Sequence, residues 1–171
     1  AYSTLGWFAD PVLNTMLGNS DAGLAGLLFH ELAHQLVYVA GDTPFNEGFA
    51  TLVGEEGTQR WLESRNDAPG LQEFRLRKSR RAAVLGIVTG LRKVLASAYA
   101  ADAPIDERRR RRVMAFAQAR ARHDALRAGW AEPPWFDGWL DAEPNNARLV
   151  ALASYEDHVP AFQALLAREG G

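Results

Sequence analysis

The chain has 171 residues, 47% of them hydrophobic and 23% charged, with four histidines and no cysteine, so one globular domain is expected and disulfide scaffolds, iron–sulfur centres and Cys-ligated zinc sites are excluded. Nineteen Lys and Arg against 21 Asp and Glu leave a net charge of -2, which gives no overall electrostatic reason to bind nucleic acid or an anionic membrane. No apolar run approaches the ~20 residues of a bilayer span, so no transmembrane segment is expected, and from the opening Ala1-Tyr2-Ser3, without Met or a secretory signal, the chain is expected to be the C-terminal portion of a longer protein.

Residues 2–8 read as a short extended segment. From Asp21 an apolar pattern at helical spacing (Leu24, Leu27, Leu28, Leu32, Leu36, Val37) predicts a first helix that ends before Gly41, which suits a C-terminal cap. Asp42-Thr43-Pro44 then offers an N-cap and an early helical proline, and the pattern resumes as Phe45, Phe49, Leu52, Val53 and Trp61. The breaker cluster of residues 66–70 closes this second helix. One long helix follows over 71–100, Ala103-Pro104 interrupts it, and another runs over 105–128; so short a connection predicts an antiparallel hairpin. Trp135 and Trp139 fall among prolines, in a loop or short helix. Asn145 is a candidate cap for a helix through Tyr155, and a last helix is predicted over 159–168. The arginine run of residues 108–112 follows Asp106-Glu107 on a helix, and it reads as a solvated face paired with carboxylates at helical spacing. The chain is expected to be mainly α.

Chemistry concentrates in Phe29-His30-Glu31-Leu32-Ala33-His34-Gln35, an H-E-x-x-H pattern on the first helix. Two histidines four apart project from one helix face with Cβ atoms ~5–6 Å apart, close enough for both imidazoles to reach one ion. Glu31 lies ~100° around the helix, so it flanks that ion and is placed to polarise a metal-bound water. The competing reading, in which His30 and His34 merely border an apolar face, would bury ionisable groups at a cost of several kcal/mol unless something pairs them. Tetrahedral zinc needs a third protein ligand, which without cysteine must be His, Asp or Glu. Glu47 is the nearest good candidate. At 1.5 Å per residue, His34 lies ~9 Å before the end of the first helix and Glu47 ~6 Å inside the second, so the two meet at similar depth if the helices fold back on each other. Glu55 and Glu56 lie ~12–14 Å farther along. A carboxylate in the first turns of a helix is also favoured by the helix dipole alone.

HELAHQ followed by NEGFAT resembles the gluzincin branch of zinc metallopeptidases, in which a glutamate of an N-E-x-x-A segment completes the metal site. The stretches AYSTLGWFADPVLNTML, FHELAHQLVYVAGDTPFNEGFATLVGEEG and NNARLVALASYEDHVPAF together are similar to a bacterial family of zinc-dependent aminopeptidases, a likeness over about 65 residues. The resemblance implies a single zincin-like metallopeptidase domain over 1–171, mainly α, with a helical hairpin at about 71–128 and a short N-terminal strand. It implies Zn2+ held by His30, His34 and Glu47, Glu31 as general base, and a peptide or protein substrate. Members often carry a lipoprotein signal, which points to the bacterial cell envelope. The sequence departs from larger gluzincins in having Thr51 where some carry an acidic residue that orients a ligand; Asp42, Glu55 and Asp21 are the remaining candidates for that role.

Hydrolysis at such a site also needs a donor for the developing oxyanion. Tyr155 is the preferred candidate and His158 the next, because Ala153-Ser154-Tyr155-Glu156-Asp157-His158 is polar where its flanks are apolar; a core Tyr with a wet hydroxyl is an equal reading. His123, among Arg and Ala on a charged helix, is expected at the surface. Recognition of a substrate α-amine would fall to Asp10, Glu156, Asp157, Asn145 or Asn146, or to a strand edge at residues 2–6. The alternatives to an aminopeptidase are a zinc endopeptidase with the same site and a non-catalytic helical interaction module with a structural metal.

Overall fold

The first helix, α1 (Asp21–Leu36), begins where the sequence supplies a cap: the Ser20 side chain accepts a 3.2 Å hydrogen bond from the Gly23 amide, and Asp21 sits at the positive end of the helix dipole. The computed structural model describes residues 20–100, 102–130, 140, 144–145, 148–149 and 158–170. α1 stops earlier than its apolar pattern predicts. Val37 is extended (φ -137°, ψ 118°), and Gly41 does not cap the helix but lies in the following turn at φ 84°. Val37, Tyr38 and Val39 favour extended backbone, and a side chain from the next helix holds Val39 there, as described below.

α2 (Thr43–Ser64) starts as predicted, with the Asp42 carboxylate accepting from the Phe45 amide at 3.0 Å and Pro44 in the first turn. Asn66, at φ 53°, turns the chain, and the Asp67 side chain accepts from the Gly70 amide at 3.0 Å. This capping starts α3 (Ala68–Ala100) three residues before the predicted start at Leu71. α4 (Ile105–Arg127) and α5 (Val159–Arg168) match their predicted spans closely. Asn145 does cap a helical turn, its side chain accepting from the Arg148 amide at 2.9 Å. The predicted segment at residues 2–8, Trp135, Trp139 and the rest of the Asn145 helix lie outside the described residues. Among the described residues every element is a helix, and there is no strand.

The described residues fall into two compact units, divided within α3 after Lys78. In the first unit α1 and α2 run antiparallel and touch through glycines rather than through the leucine stripe. A Cβ added at Gly54 would stand 3.0 Å from the Gly26 carbonyl oxygen and 3.4 Å from the His30 Cβ, and one at Gly26 would stand 2.9 Å from the Thr58 hydroxyl. Leu32 and Leu36 are instead exposed, 50% and 81%, while Ala33 is fully buried. Small residues let two helical backbones approach more closely than branched side chains would, which puts the groups carried by α1 within reach of α2. α5 packs on another face of α2, the Phe162 ring edge-on to Phe45 and Phe49 at 5.1 and 5.7 Å.

In the second unit Val88, Leu91 and Leu95 of α3 meet Ala115, Phe116 and Ala119 of α4, with Leu140 and Leu149 completing the core. The predicted hairpin thus forms. Among the described residues, α3 is the one helix long and apolar enough to cross a membrane, where the sequence led us to expect none; Val88, Leu91 and Leu95 on it face this core. His123 is a correction. It is buried to 5% exposure, not at the surface, because it continues the Phe116 and Ala119 face at helical spacing although its sequence neighbours Arg122 and Asp124 point outward.

Candidate metal centre

The glycine-mediated crossing of α1 and α2 brings His30, His34 and Glu47 together. One ligand atom from each lies within 4.8 Å of the others, the arrangement expected from the four-residue spacing and from the equal depths of His34 and Glu47. The two imidazoles meet edge to face, with centroids 4.9 Å apart and planes at 85°. One Glu47 oxygen stands 3.4 Å from His30 Nε2 and the other 3.9 Å from His34 Nε2. These separations exceed the ~2.7–3.2 Å of a hydrogen bond. They suit ligands of a common ion, since two donors each ~2.1 Å from a tetrahedral zinc stand ~3.4 Å apart.

The electrostatics also fit a cation. The three side chains are about one-fifth exposed, so a carboxylate and two imidazoles converge with little water to solvate them. Burial holds the His30 pKa below its ordinary value, and the adjacent His34 lowers it further, outweighing the opposite pull of Glu47 and Glu31. The neutral imidazole, the form that donates a lone pair to a metal, is therefore favoured. His34 Nδ1 is buried without a hydrogen-bond partner among the described residues. A partner at that nitrogen would fix the ring's orientation, and none of Asp21, Asp42 and Glu55 supplies it. Asp42 caps α2, and Glu55 stands 2.7 Å from Lys78 Nζ. Thr51 is buried at 7% exposure, one helical turn beyond Glu47.

Glu31 is half-buried on α1 beside His30 and outside the three-residue cluster. His158 sits at the start of α5, its Cβ 2.9 Å from where a Cβ would stand on Gly48, the residue after Glu47. This contact leaves no room for a larger residue at position 48 without displacing α5. The His158 side chain itself is exposed. Tyr155, Asp10, Asn146, Glu156 and Asp157 lie outside the described residues.

Asn46 is a residue that sequence reasoning missed. Its amide, 3% exposed, accepts from the Val39 amide and donates to the Val39 carbonyl, both at 2.8 Å. This two-pronged clamp folds the connection between the helices back onto α2 immediately before Glu47, and so sets where that carboxylate enters the site. A polar amide in the first turns of an otherwise apolar helix face was the available signal. Asn46→Ala is expected to leave two backbone groups unsatisfied, lowering stability by about 1–3 kcal/mol and metal affinity by ~10-fold. Urea denaturation and competition with a chromophoric chelator measure the two effects; unchanged affinity would show that the clamp does not position Glu47.

A family model described as "Putative aminopeptidase" matches residues 1–171 of the chain. No curated protein and no solved structure matches it.

Proposed function

We propose a function from one premise: the chain belongs to the family described as "Putative aminopeptidase". The reading is a zinc-dependent peptidase of gluzincin type, built on a zincin-like arrangement of α1 and α2 and acting as an aminopeptidase. The observation that carries it is the convergence of His30, His34 and Glu47 to within 4.8 Å. These three residues would hold the zinc. A zinc ion at such a site supplies Lewis acidity and lowers the pKa of water toward ~7.

The chain's own residues supply the rest. Glu31, next to a ligand on the same helix but turned ~100° from it, is placed to accept the proton of the attacking water and to return it to the leaving amine. Burial of His30 keeps its lone pair available, and the Asn46 clamp holds Glu47 in register with the histidines. His158, lodged against Gly48, is the candidate among the described residues for a donor to the developing oxyanion, with Tyr155 as the other.

The exopeptidase assignment rests on the family description, and substrate pairs test it. A peptide with a free α-amine is expected to be hydrolysed, and the same peptide with an acetylated N-terminus to be left intact. Equal turnover of both would assign the site to an endopeptidase. Metal analysis of the same preparation is expected to give about one zinc per chain.

A further inference from the structure

The overall charge of -2 conceals a strong asymmetry. Residues 79–130, which form the helical hairpin of the second unit, carry 12 Lys and Arg against 4 Asp and Glu, a net +8, while the other 119 residues carry -10. A partner meets the local charge, because exposed charges more than ~8 Å away are screened at physiological ionic strength. The arginine run at residues 108–112 does pair locally: Arg109 lies 3.7 Å from Asp106, and Arg110 and Arg111 lie 2.8 and 2.9 Å from Glu107. The Arg109 and Arg110 side chains are 74% and 70% exposed.

Apolar surface lies beside this charge. α3 and α4 enclose a shallow groove in which Val94 and Met114 are 49% and 60% exposed, with Ala98 and Ala115 deeper and Lys93 and Arg111 also lining it. Near the hairpin turn Tyr99, Ile105 and Val113 are exposed as well, 39%, 63% and 56%. In the groove, exposed Val94 and Met114 thus lie beside Lys93 and Arg111. The combination is that of a surface binding at the boundary between lipid headgroups and acyl chains.

We propose that the α3–α4 hairpin docks on an anionic lipid surface, with Lys93 and Arg111 at the phosphates and Val94 and Met114 entering the acyl boundary. The docking is peripheral: Leu91 and Leu95 of α3 face the hairpin core, so that helix is not free to cross a bilayer alone. Nucleic acid would satisfy the charge but would leave Val94, Met114, Ile105 and Val113 without apolar contact. A lipid surface satisfies both features.

Co-sedimentation of the full chain with vesicles tests this independently of any hydrolytic activity. Binding is expected to vesicles of phosphatidylcholine and phosphatidylglycerol in equal parts, not to phosphatidylcholine alone, and to weaken as salt is raised. K93Q/R111Q is expected to lower the partition coefficient ~25-fold, about fivefold for each basic residue removed. V94S/M114S is expected to lower it while keeping the salt dependence, with helicity by circular dichroism unchanged in both variants. The salt series on the unaltered chain decides the matter should either variant misfold. Equal binding to both vesicle types, no binding to the anionic ones, or indifference to salt would overturn the proposal, as would binding to duplex DNA without binding to vesicles.

Discussion

Glu31→Gln is expected to lower peptide hydrolysis by ~10²–10⁴-fold while the protein still carries about one zinc per chain. The substitution preserves size and hydrogen-bonding capacity at the position but removes the basic oxygen, so it tests proton transfer and little else. Glu31 lies outside the cluster formed by His30, His34 and Glu47, and nothing in the three ligand atoms' separations depends on it. Turnover assays paired with metal analysis read the two quantities separately. If the variant lost its zinc, Glu31 would be a ligand or a support for one. If it kept full turnover, the general base would lie elsewhere.

His34→Ala carries the second large effect. Removing it leaves two protein ligands for an ion whose catalytic sites use three, and loss of a supporting contact alone costs ~10–100-fold in affinity, so a loss well beyond ~100-fold is expected. Hydrolysis is expected to fall with the metal. Zinc that binds only the folded form stabilises it by ~4 kcal/mol at a free concentration 1,000 times the dissociation constant. Added zinc should therefore raise the unaltered protein's Tm and leave that of the variant unmoved. Circular dichroism is expected to show the same helix content in both, since His34 makes its contacts at the ligand cluster while Ala33, next to it, carries the buried packing of α1. Wild-type zinc affinity in His34→Ala would remove His34 from the ligand set.

The convergence of His30, His34 and Glu47 was legible because helix geometry is regular. A spacing of four fixed the relation of His30 to His34, and the rise per residue placed Glu47 at their depth once α1 and α2 were taken to fold back on each other. Where nonlocal contacts decide, the sequence misled. α1 was expected to run almost to Gly41, but Asn46 reaches back from α2 to hold Val39 in extended backbone, a constraint that no local pattern reveals. The leucines at 28, 32 and 36 satisfied the helical period, yet the crossing is made at Gly26 and Gly54, because the closest approach selects the smallest side chains rather than the most apolar ones. His123 was hidden by its neighbours: Arg122 and Asp124 describe the exposed side of a helix whose other side is core.

The short connection between α1 and α2 bears on the order in which the molecule assembles. His30, His34 and Glu47 fall within 18 consecutive residues, 30–47, and the helices that present them end at Ser64. Bringing such ends together costs little loop-closure entropy, and contacts of small sequence separation form early in folding. During synthesis, which proceeds from the N-terminus, α1 and α2 leave the ribosome ahead of α3, α4 and α5. His30, His34 and Glu47 are thus the part of the chain that can be brought together first, and α5 folds onto a pair whose register is already set.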